Sequence, residues 1–234
     1  RTRIRNEGTN LFSIKSAKLS TVSLLMLFSI ALAANSANAV PKAAASAKVP
    51  AAKGFPLFWP PREGYYYPNL TLSNYDGKKI TLSNLKGKVL LIEPVGMSCP
   101  GCQAFAGAGK NGVGGLGGVV PQIGMQSVDE LISQQGLSPH DPRIVVVQIL
   151  FYNFSMQAPS LKDAQLWAKH FHLENKPNRL ILVGTSNFIN NATYNMIPGF
   201  QLVDKGFVLR SDATGHNPKR DIWTELFPMI KKLL

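Results

Sequence analysis

The feature that most constrains the fold is a pair of cysteines, Cys99 and Cys102, placed shortly after a strongly apolar stretch. They are the only two cysteines among the 234 residues. The stretch Val89–Ile92 is a continuous apolar run, which is typical of a strand buried on both faces of a sheet. The pattern therefore predicts a buried strand, a turn and a helix, with the cysteine pair at the helix N-terminus.

The spacing of the two cysteines favours a chemical role over a structural one. A disulfide between them closes so short a loop that it restrains the unfolded chain very little, although an inert bridge stays an alternative. At a helix N-terminus, unpaired N–H groups and the helix dipole favour a thiolate, so Cys99 is the expected nucleophile. Cys102, one turn further on, would then resolve the mixed disulfide.

We predict neither a metal nor another cofactor. A structural zinc site usually has four ligands, and the four histidines are scattered along the chain. They provide no second ligand pair at a suitable spacing.

The first 39 residues have the three parts of a secretory signal. Five basic residues come first, the apolar run Thr21–Ala34 follows, and small residues at Ala37 and Ala39 end the segment. The apolar run is shorter than the roughly 20 residues that a membrane-spanning helix needs. We predict a signal peptide at residues 1–39 and a periplasmic protein, anchored to the inner membrane only if the signal stays uncleaved.

The remainder divides into a linker and one domain. Residues 40–64 are rich in Ala, Pro and Lys, which indicates a linker, and residues 65–234 form the domain. The pattern predicts a β-hairpin at 69–83, strands at 89–93, 143–152, 180–183, 199–203 and 206–209, and helices at 127–135, 160–172 and 220–234. One parallel crossover followed by a terminal antiparallel hairpin predicts a three-layer α/β sandwich.

A glycine-rich segment at residues 107–118 contains GxGxxG twice. A dinucleotide-binding fingerprint belongs at a strand-to-helix turn, but the cysteine pair occupies that place. We therefore interpret the segment as a flexible insertion.

The formal charge of +12 does not indicate nucleic-acid binding. Residues 1–53 hold eight of the 25 basic side chains and one of the 13 acidic ones. The rest of the chain has no run of Lys and Arg interleaved with aromatic residues, so no nucleic-acid partner is predicted.

Two segments resemble the thioredoxin-like superfamily, nearest to the exported redoxins of the TlpA and SCO type. They are residues 68–102 (PNLTLSNYDGKKITLSNLKGKVLLIEPVGMSCPGC) and 196–212 (MIPGFQLVDKGFVLRSD), the second followed by the final helix. The resemblance implies a thioredoxin-like three-layer sandwich with an N-terminal β-hairpin extension. It also implies that Pro198 is a cis-proline beside the cysteines and that Ile197 offers backbone hydrogen bonds to an extended partner strand.

The same resemblance assigns a role to Glu93, six residues before Cys99, where thioredoxins hold a buried acid that relays a proton to the second cysteine. Burial would raise the pKa of such a carboxyl and suit it to acid–base work. A solvent-facing glutamate at the strand end is the alternative, as an ordinary strand-edge proline is for Pro198.

These observations predict an extracytoplasmic thiol-disulfide oxidoreductase that acts on protein thiols or disulfides and is served by an upstream redox partner. One alternative is an SCO-like copper metallochaperone for cytochrome oxidase assembly. SCO proteins, however, have CxxxC and a distant histidine, where this chain has CxxC and approximately Met196. The other alternative is a binding module with a static disulfide.

Overall fold

The computed structural model describes residues 58–234. The predicted signal peptide and residues 40–57 of the predicted linker lie outside the described residues. Among residues 58–234, no helix is long and apolar enough to cross a membrane.

Residues 58–234 contain one mixed sheet of seven strands. The strands are β1 (Thr71–Asn74), β2 (Lys79–Thr81), β3 (Val89–Gly96), β4 (Ile144–Tyr152), β5 (Arg179–Val183), β6 (Gly199–Val203) and β7 (Leu209–Thr214). Their order in the sheet is β2-β1-β5-β4-β3-β6-β7. The long strands β3 and β4 are buried along their whole length. They occupy central positions, as their continuous apolar runs predict.

The strand directions confirm the predicted thioredoxin-like α/β fold and correct one detail. β3 and β4 are parallel, β6 and β7 form the terminal antiparallel hairpin, and β6 lies antiparallel beside β3. The predicted N-terminal hairpin, β1 and β2, is present and joins the sheet through β5. β5 is also parallel to β4, so the sheet has two parallel crossover connections, whereas the sequence pattern predicts one.

The part of the chain that the structure describes has five α-helices: α1 (Pro100–Ala106), α2 (Val128–Gln134), α3 (Leu161–His170), α4 (Asn191–Tyr194) and α5 (Phe227–Leu233). α2 and α3 begin at capping boxes, formed by Ser127 with Glu130 and by Ser160 with Asp163. In each box the serine hydroxyl and the acidic side chain satisfy backbone N–H groups that lack helical partners. A single π-helical turn, Ile222–Leu226, leads into α5.

The core forms two hydrophobic clusters, and β3 contributes to both. Leu90 and Ile92 belong to the first cluster, and Val89 and Leu91 belong to the second. Successive strand residues point to opposite faces, so both faces of the sheet are covered. α3 contributes to the first cluster, and α2 and α5 contribute to the second.

The last strand lies later in the chain than the pattern of apolar residues predicts. Residues 206–209 were expected to form it, but β7 spans Leu209–Thr214. Asp204 explains the difference, because its N–H donates to the Val208 carbonyl and its side chain accepts from the Val208 N–H. This wide turn includes Phe207 in the left-handed region, with φ 71°. The turn therefore takes up residues that pattern alone assigns to a strand.

The described residues at the end of the predicted linker are fixed to the domain. The indole N–H of Trp59 donates to Thr193 Oγ1 at 2.8 Å, and its ring packs edge-on against Phe151 and Phe188. Trp59 thus fastens the start of the described chain to α4.

Candidate active site

Cys99 is the N-cap residue of α1, three residues after β3 ends. Its backbone is extended, its N–H donates to the Gly96 carbonyl at 3.0 Å, and Pro100 begins the helix. Its sulfur accepts a hydrogen bond from the Cys102 N–H at 3.2 Å. The thiol therefore lies where the free N–H groups of the first helical turn converge.

These surroundings stabilise the Cys99 thiolate. The hydrogen bond with the Cys102 side chain, followed by the backbone N–H groups of Cys102 and Gly101, lowers the pKa of Cys99 to about 7, and partial burial opposes this. Both cysteines are free thiols. A large fraction of Cys99 is therefore ionised near neutral pH.

Cys102 has the opposite surroundings although it is only one helical turn away. Its side chain is fully buried, and its sulfur lies 3.9 Å from the Pro94 carbonyl oxygen. Burial raises the pKa of Cys102 well above its ordinary value, and the hydrogen bond with Cys99 and the negative charges of Cys99 and Glu93 raise it further. Cys102 is therefore the protonated member of the pair.

Glu93 is completely buried in β3, so the solvent-facing alternative is wrong. Burial raises the pKa of its carboxyl from 4.5 to about 8, opposed by a hydrogen bond from Gln148 and by the positive charge of Arg179, while the charge of Cys99 raises it further. Gln148 Nε2 donates to Glu93 Oε2 at 2.7 Å. Glu93 thus combines burial, one hydrogen-bond donor among the described residues and a carboxyl that can gain or lose a proton near neutral pH.

The Ile197–Pro198 peptide bond is cis, which excludes the reading of Pro198 as an ordinary strand-edge proline. Pro198 directly precedes β6, and its carbonyl accepts from the Gly215 N–H at 2.7 Å. The Ile197 N–H already donates to the Tyr194 carbonyl at 3.1 Å. The expectation of backbone hydrogen bonds from Ile197 to a partner is therefore narrowed to its carbonyl, which accepts no backbone hydrogen bond from residues 58–234.

A groove of about 240 Å³ brings the half-buried Cys99 and the cis-proline together. It is lined by Gly96, Ser98, Cys99, Pro100, Tyr152, Met156, Tyr194, Ile197, Pro198 and His216. Of the predicted site residues, Cys99, Ile197 and Pro198 border this groove, whereas Cys102 and Glu93 lie buried behind it. Its volume is below the roughly 300–1,000 Å³ of typical small-molecule pockets.

The close packing of α1 against the cis-proline loop depends on Gly101. A Cβ atom at this position would lie 3.2 Å from both Pro198 Cγ and Gln122 Oε1. Glycine at 101 therefore lets the cysteine pair approach Pro198.

Gln103, directly after Cys102, fastens the glycine-rich segment to α1. Its buried amide donates to the carbonyls of Met97 at 2.7 Å and Leu116 at 3.0 Å, and it accepts from the Leu116 N–H at 2.7 Å. Leu116 is itself buried in the first core cluster. The predicted flexible insertion at 107–118 is thus tied to the cysteine helix at Leu116.

Met196, named in connection with the copper alternative, is buried, and it is not among the residues that line the groove. Within residues 58–234, no group of three or more His, Cys, Asp and Glu side chains is placed to hold a metal ion.

Several residues of the site were not found from the sequence. Gln148 is a polar residue in the otherwise apolar strand IVVVQILFY, a signal that could have marked it as part of a buried polar contact. Met156, Tyr194 and His216 reach the groove from distant loops and α4, and nothing local in the sequence marks them.

Comparisons with known proteins give structural matches only. No family profile matches the chain, and no curated protein matches its sequence. One similar solved structure is that of a protein from Aquifex aeolicus VF5 that is provisionally assigned to electron transfer. It shares 14% identity with this chain at a TM-score of 0.47, and the match covers 74% of this chain and 99% of that one.

Two further matches are of the same order. BsSco, a member of the Sco family of cytochrome c oxidase assembly proteins, has 15% identity and a TM-score of 0.45, and the match covers 72% of this chain and 93% of that one. The thioredoxin domain of a thiol-disulfide oxidoreductase from Bacteroides vulgatus has 12% identity and a TM-score of 0.44, over 72% and 98% of the two chains. The thioredoxin-like fold is assigned from this chain's own strand order and from the cis-proline before β6.

Proposed function

We propose that this chain is an extracytoplasmic thiol-disulfide oxidoreductase that acts on protein thiols or disulfides through Cys99 and Cys102. One observation carries the proposal: two free thiols on one helical turn have pKa values displaced in opposite directions, and the acidic one borders a groove beside a cis-proline. Because the two pKa values are displaced in opposite directions, Cys99 is the attacking thiol and Cys102 is the resolving thiol.

In this mechanism the Cys99 thiolate attacks a partner disulfide. A Cys99–partner disulfide forms, and the electron pair of the broken bond leaves on the partner's other sulfur. Cys102 then loses its proton and attacks Cys99, the partner's sulfur departs as a thiolate, and an intramolecular disulfide remains. The chain is oxidised by two electrons and the partner disulfide is reduced. The reverse sequence oxidises a partner dithiol.

Glu93 supports the second step. The Cys102 thiol is buried and protonated, so it needs a base before it can attack. A carboxyl with a pKa of about 8 accepts and returns a proton in the range where thiol exchange operates. We assign Glu93 the role of proton relay.

Ile197 and Pro198 form the platform for the partner. A segment lying in the groove can donate a hydrogen bond to the Ile197 carbonyl while its cysteine meets Cys99. Tyr194 and Met156, both partly exposed, supply apolar contacts on the groove wall.

The proposed location outside the cytoplasm rests on the N-terminal sequence, with its basic flank, short apolar run and small residues before position 40. Residues 1–64 fused to alkaline phosphatase should give phosphatase activity in a bacterial host. Deletion of residues 21–34 should abolish that activity, and activity that persists after the deletion would contradict export.

The function is tested by a redox titration together with two matched variants. Cys102→Ser should accumulate mixed disulfides with partner proteins in native cells, since nothing resolves them, whereas Cys99→Ser should accumulate none. No trapped partner with Cys102→Ser, or a disulfide that cannot be reduced, would overturn the proposal. Uptake of one copper per chain by the reduced but not the oxidised protein, without thiol exchange, would favour the metallochaperone alternative.

A further inference from the structure

A chain of buried hydrogen bonds leads away from Glu93 through two side chains without formal charge. Trp167 Nε1 in α3 donates to Gln148 Oε1 at 3.1 Å, and Gln148 Nε2 donates to Glu93 Oε2 at 2.7 Å. All three side chains are buried. Glu93 and Gln148 are also directly paired across the parallel strands β3 and β4, so the backbone fixes their separation.

The indole group determines which way the Gln148 amide points. An indole nitrogen can only donate a hydrogen bond, so the amide oxygen must face Trp167. The amide NH₂ group must then face Glu93. A flipped amide would set two donors against each other at Trp167 and two oxygens against each other at Glu93.

The orientation of the amide distinguishes the two carboxyl oxygens of Glu93. Oε2 accepts from Gln148, whereas Oε1 has no hydrogen-bond partner among the described residues. In the neutral carboxyl, the oxygen that accepts is the carbonyl oxygen, which places the proton on the other one.

We infer that Gln148, held by Trp167, is a positioning residue that orients the Glu93 carboxyl so that the transferable proton is carried on Oε1. This inference rests on the proposed function and deepens it. Oε1 takes the proton from the Cys102 thiol, leaving a thiolate and a neutral carboxyl. The thiolate attacks Cys99, the Cys99–partner bond breaks, and the proton later returns to a departing thiolate.

The groups that act on Glu93 through their charge are few. Cys99 and Cys102 act from α1, and Arg179 acts from β5. Gln148 and Trp167 carry no charge, and neither does Gln201, which lies opposite Ile92 on β6. Arg179 is itself paired with Asp129 in α2. Changes at Gln148 therefore act on Glu93 through the hydrogen bond without altering this set of charges.

The test follows the single-turnover release of glutathione from a Cys99–glutathione mixed disulfide as a function of pH. Gln148→Leu removes the donor that stabilises the ionised carboxyl, so the midpoint assigned to Glu93 should rise by about one pH unit. Trp167→Phe keeps an aromatic ring at this position but removes the indole N–H that holds the Gln148 amide, and should move the midpoint the same way by less. Gln201→Leu, a buried glutamine that bonds to Tyr67 and Asp212 instead, should leave the midpoint unchanged.

A second readout follows the Glu93 carboxyl carbon directly by ¹³C NMR titration of the same folded proteins. Glu93→Gln should abolish the kinetic midpoint, and adding Gln148→Leu to it should change nothing further. A midpoint unmoved in both Gln148→Leu and Trp167→Phe would overturn the inference. If wild-type protein releases no glutathione, the proposed function fails, while the carboxyl titration still shows whether Gln148 acts on Glu93.

Discussion

The two ends of the first turn of α1 place the same side chain in opposite environments. Cys99, at the N-cap, is half-buried, receives backbone hydrogen bonds and borders a groove. Cys102, three residues later, is sealed in the first core cluster among apolar side chains and Glu93. One helical turn is enough to place identical side chains in environments that favour the thiolate and the thiol respectively.

The largest expected effect is a difference in alkylation rate. In the native reduced protein at pH 7, iodoacetamide should modify Cys99 at least ~100-fold faster than Cys102, because only Cys99 is both ionised and accessible. The rate at Cys99 should be half-maximal near its pKa of about 7. Quenched samples analysed by peptide mass spectrometry measure both rates. In guanidinium the two rates should converge. Equal rates in the native protein would show that the two thiols do not differ in ionisation and accessibility.

The next effect concerns Gln103, which joins the loop before Cys99 to the segment after α1. Gln103→Leu leaves the buried Met97 carbonyl and both backbone groups of Leu116 without this partner, and should lower the free energy of unfolding by about 3 kcal/mol. Chemical denaturation measures the change. Gln134→Leu, on the exposed face of α2, is the matched control and should change stability by less than ~0.5 kcal/mol.

Glu93 should impose a pH dependence on stability. Its pKa is 4.5 in the unfolded chain and about 8 in the folded one, so between these values the folded state binds more protons. Stability should therefore fall as pH rises from 5 to 7, by up to about 1.4 kcal/mol per pH unit from this group. The lowered pKa of Cys99 acts in the opposite direction only near and above pH 7.

Glu93→Gln should remove this contribution, as measured by denaturation at several pH values. Glu174→Gln, an exposed glutamate, is the control and should leave the slope in place. An unchanged slope in Glu93→Gln would mean that Glu93 ionises in the folded protein as it does in the unfolded chain.

The smallest effect is expected on the binding of a protein disulfide in the groove. Met156→Ala removes an apolar contact beside Cys99 and should raise the KM for a protein disulfide about threefold, a change of under about 1 kcal/mol. The alkylation rate of Cys99 by a small reagent should not change. Leu166→Ala, an exposed apolar residue on α3 outside the groove, should alter neither quantity.

Much of the interior of this site could be predicted from the sequence, because it depends on the residue pattern within short segments of the chain. The run from Val89 to Cys102 specifies a buried strand, a turn and a helix, and the β-branched run of β4 specifies its neighbour. The burial of Glu93 was left open, since Pro94 could have turned the chain early. The strand continues through Pro94 to Gly96, which buries Glu93.

The groove was much less predictable. Met156, Tyr194 and His216 come from three separate segments, and only the folded sheet brings them to Cys99. The same holds for Leu116, whose attachment to Gln103 spans 13 residues of a glycine-rich stretch without periodicity. The turn before β7 depends on hydrogen bonds of Asp204, so the strand begins at Leu209 and not at residue 206. A pattern of apolar residues does not predict these hydrogen bonds.

The close fit at Gly101 limits how the reduction potential of the cysteine pair can be altered by substitution. The two residues between the cysteines are the simplest place to alter a reduction potential, since they adjoin both sulfurs. Position 100 is exposed, and its side chain borders the groove. At position 101 even alanine would crowd the proline ring of the opposite loop and the Gln122 side chain. A substitution at position 100 therefore also alters the groove, and one at position 101 requires the Pro198 ring or the Gln122 side chain to shift.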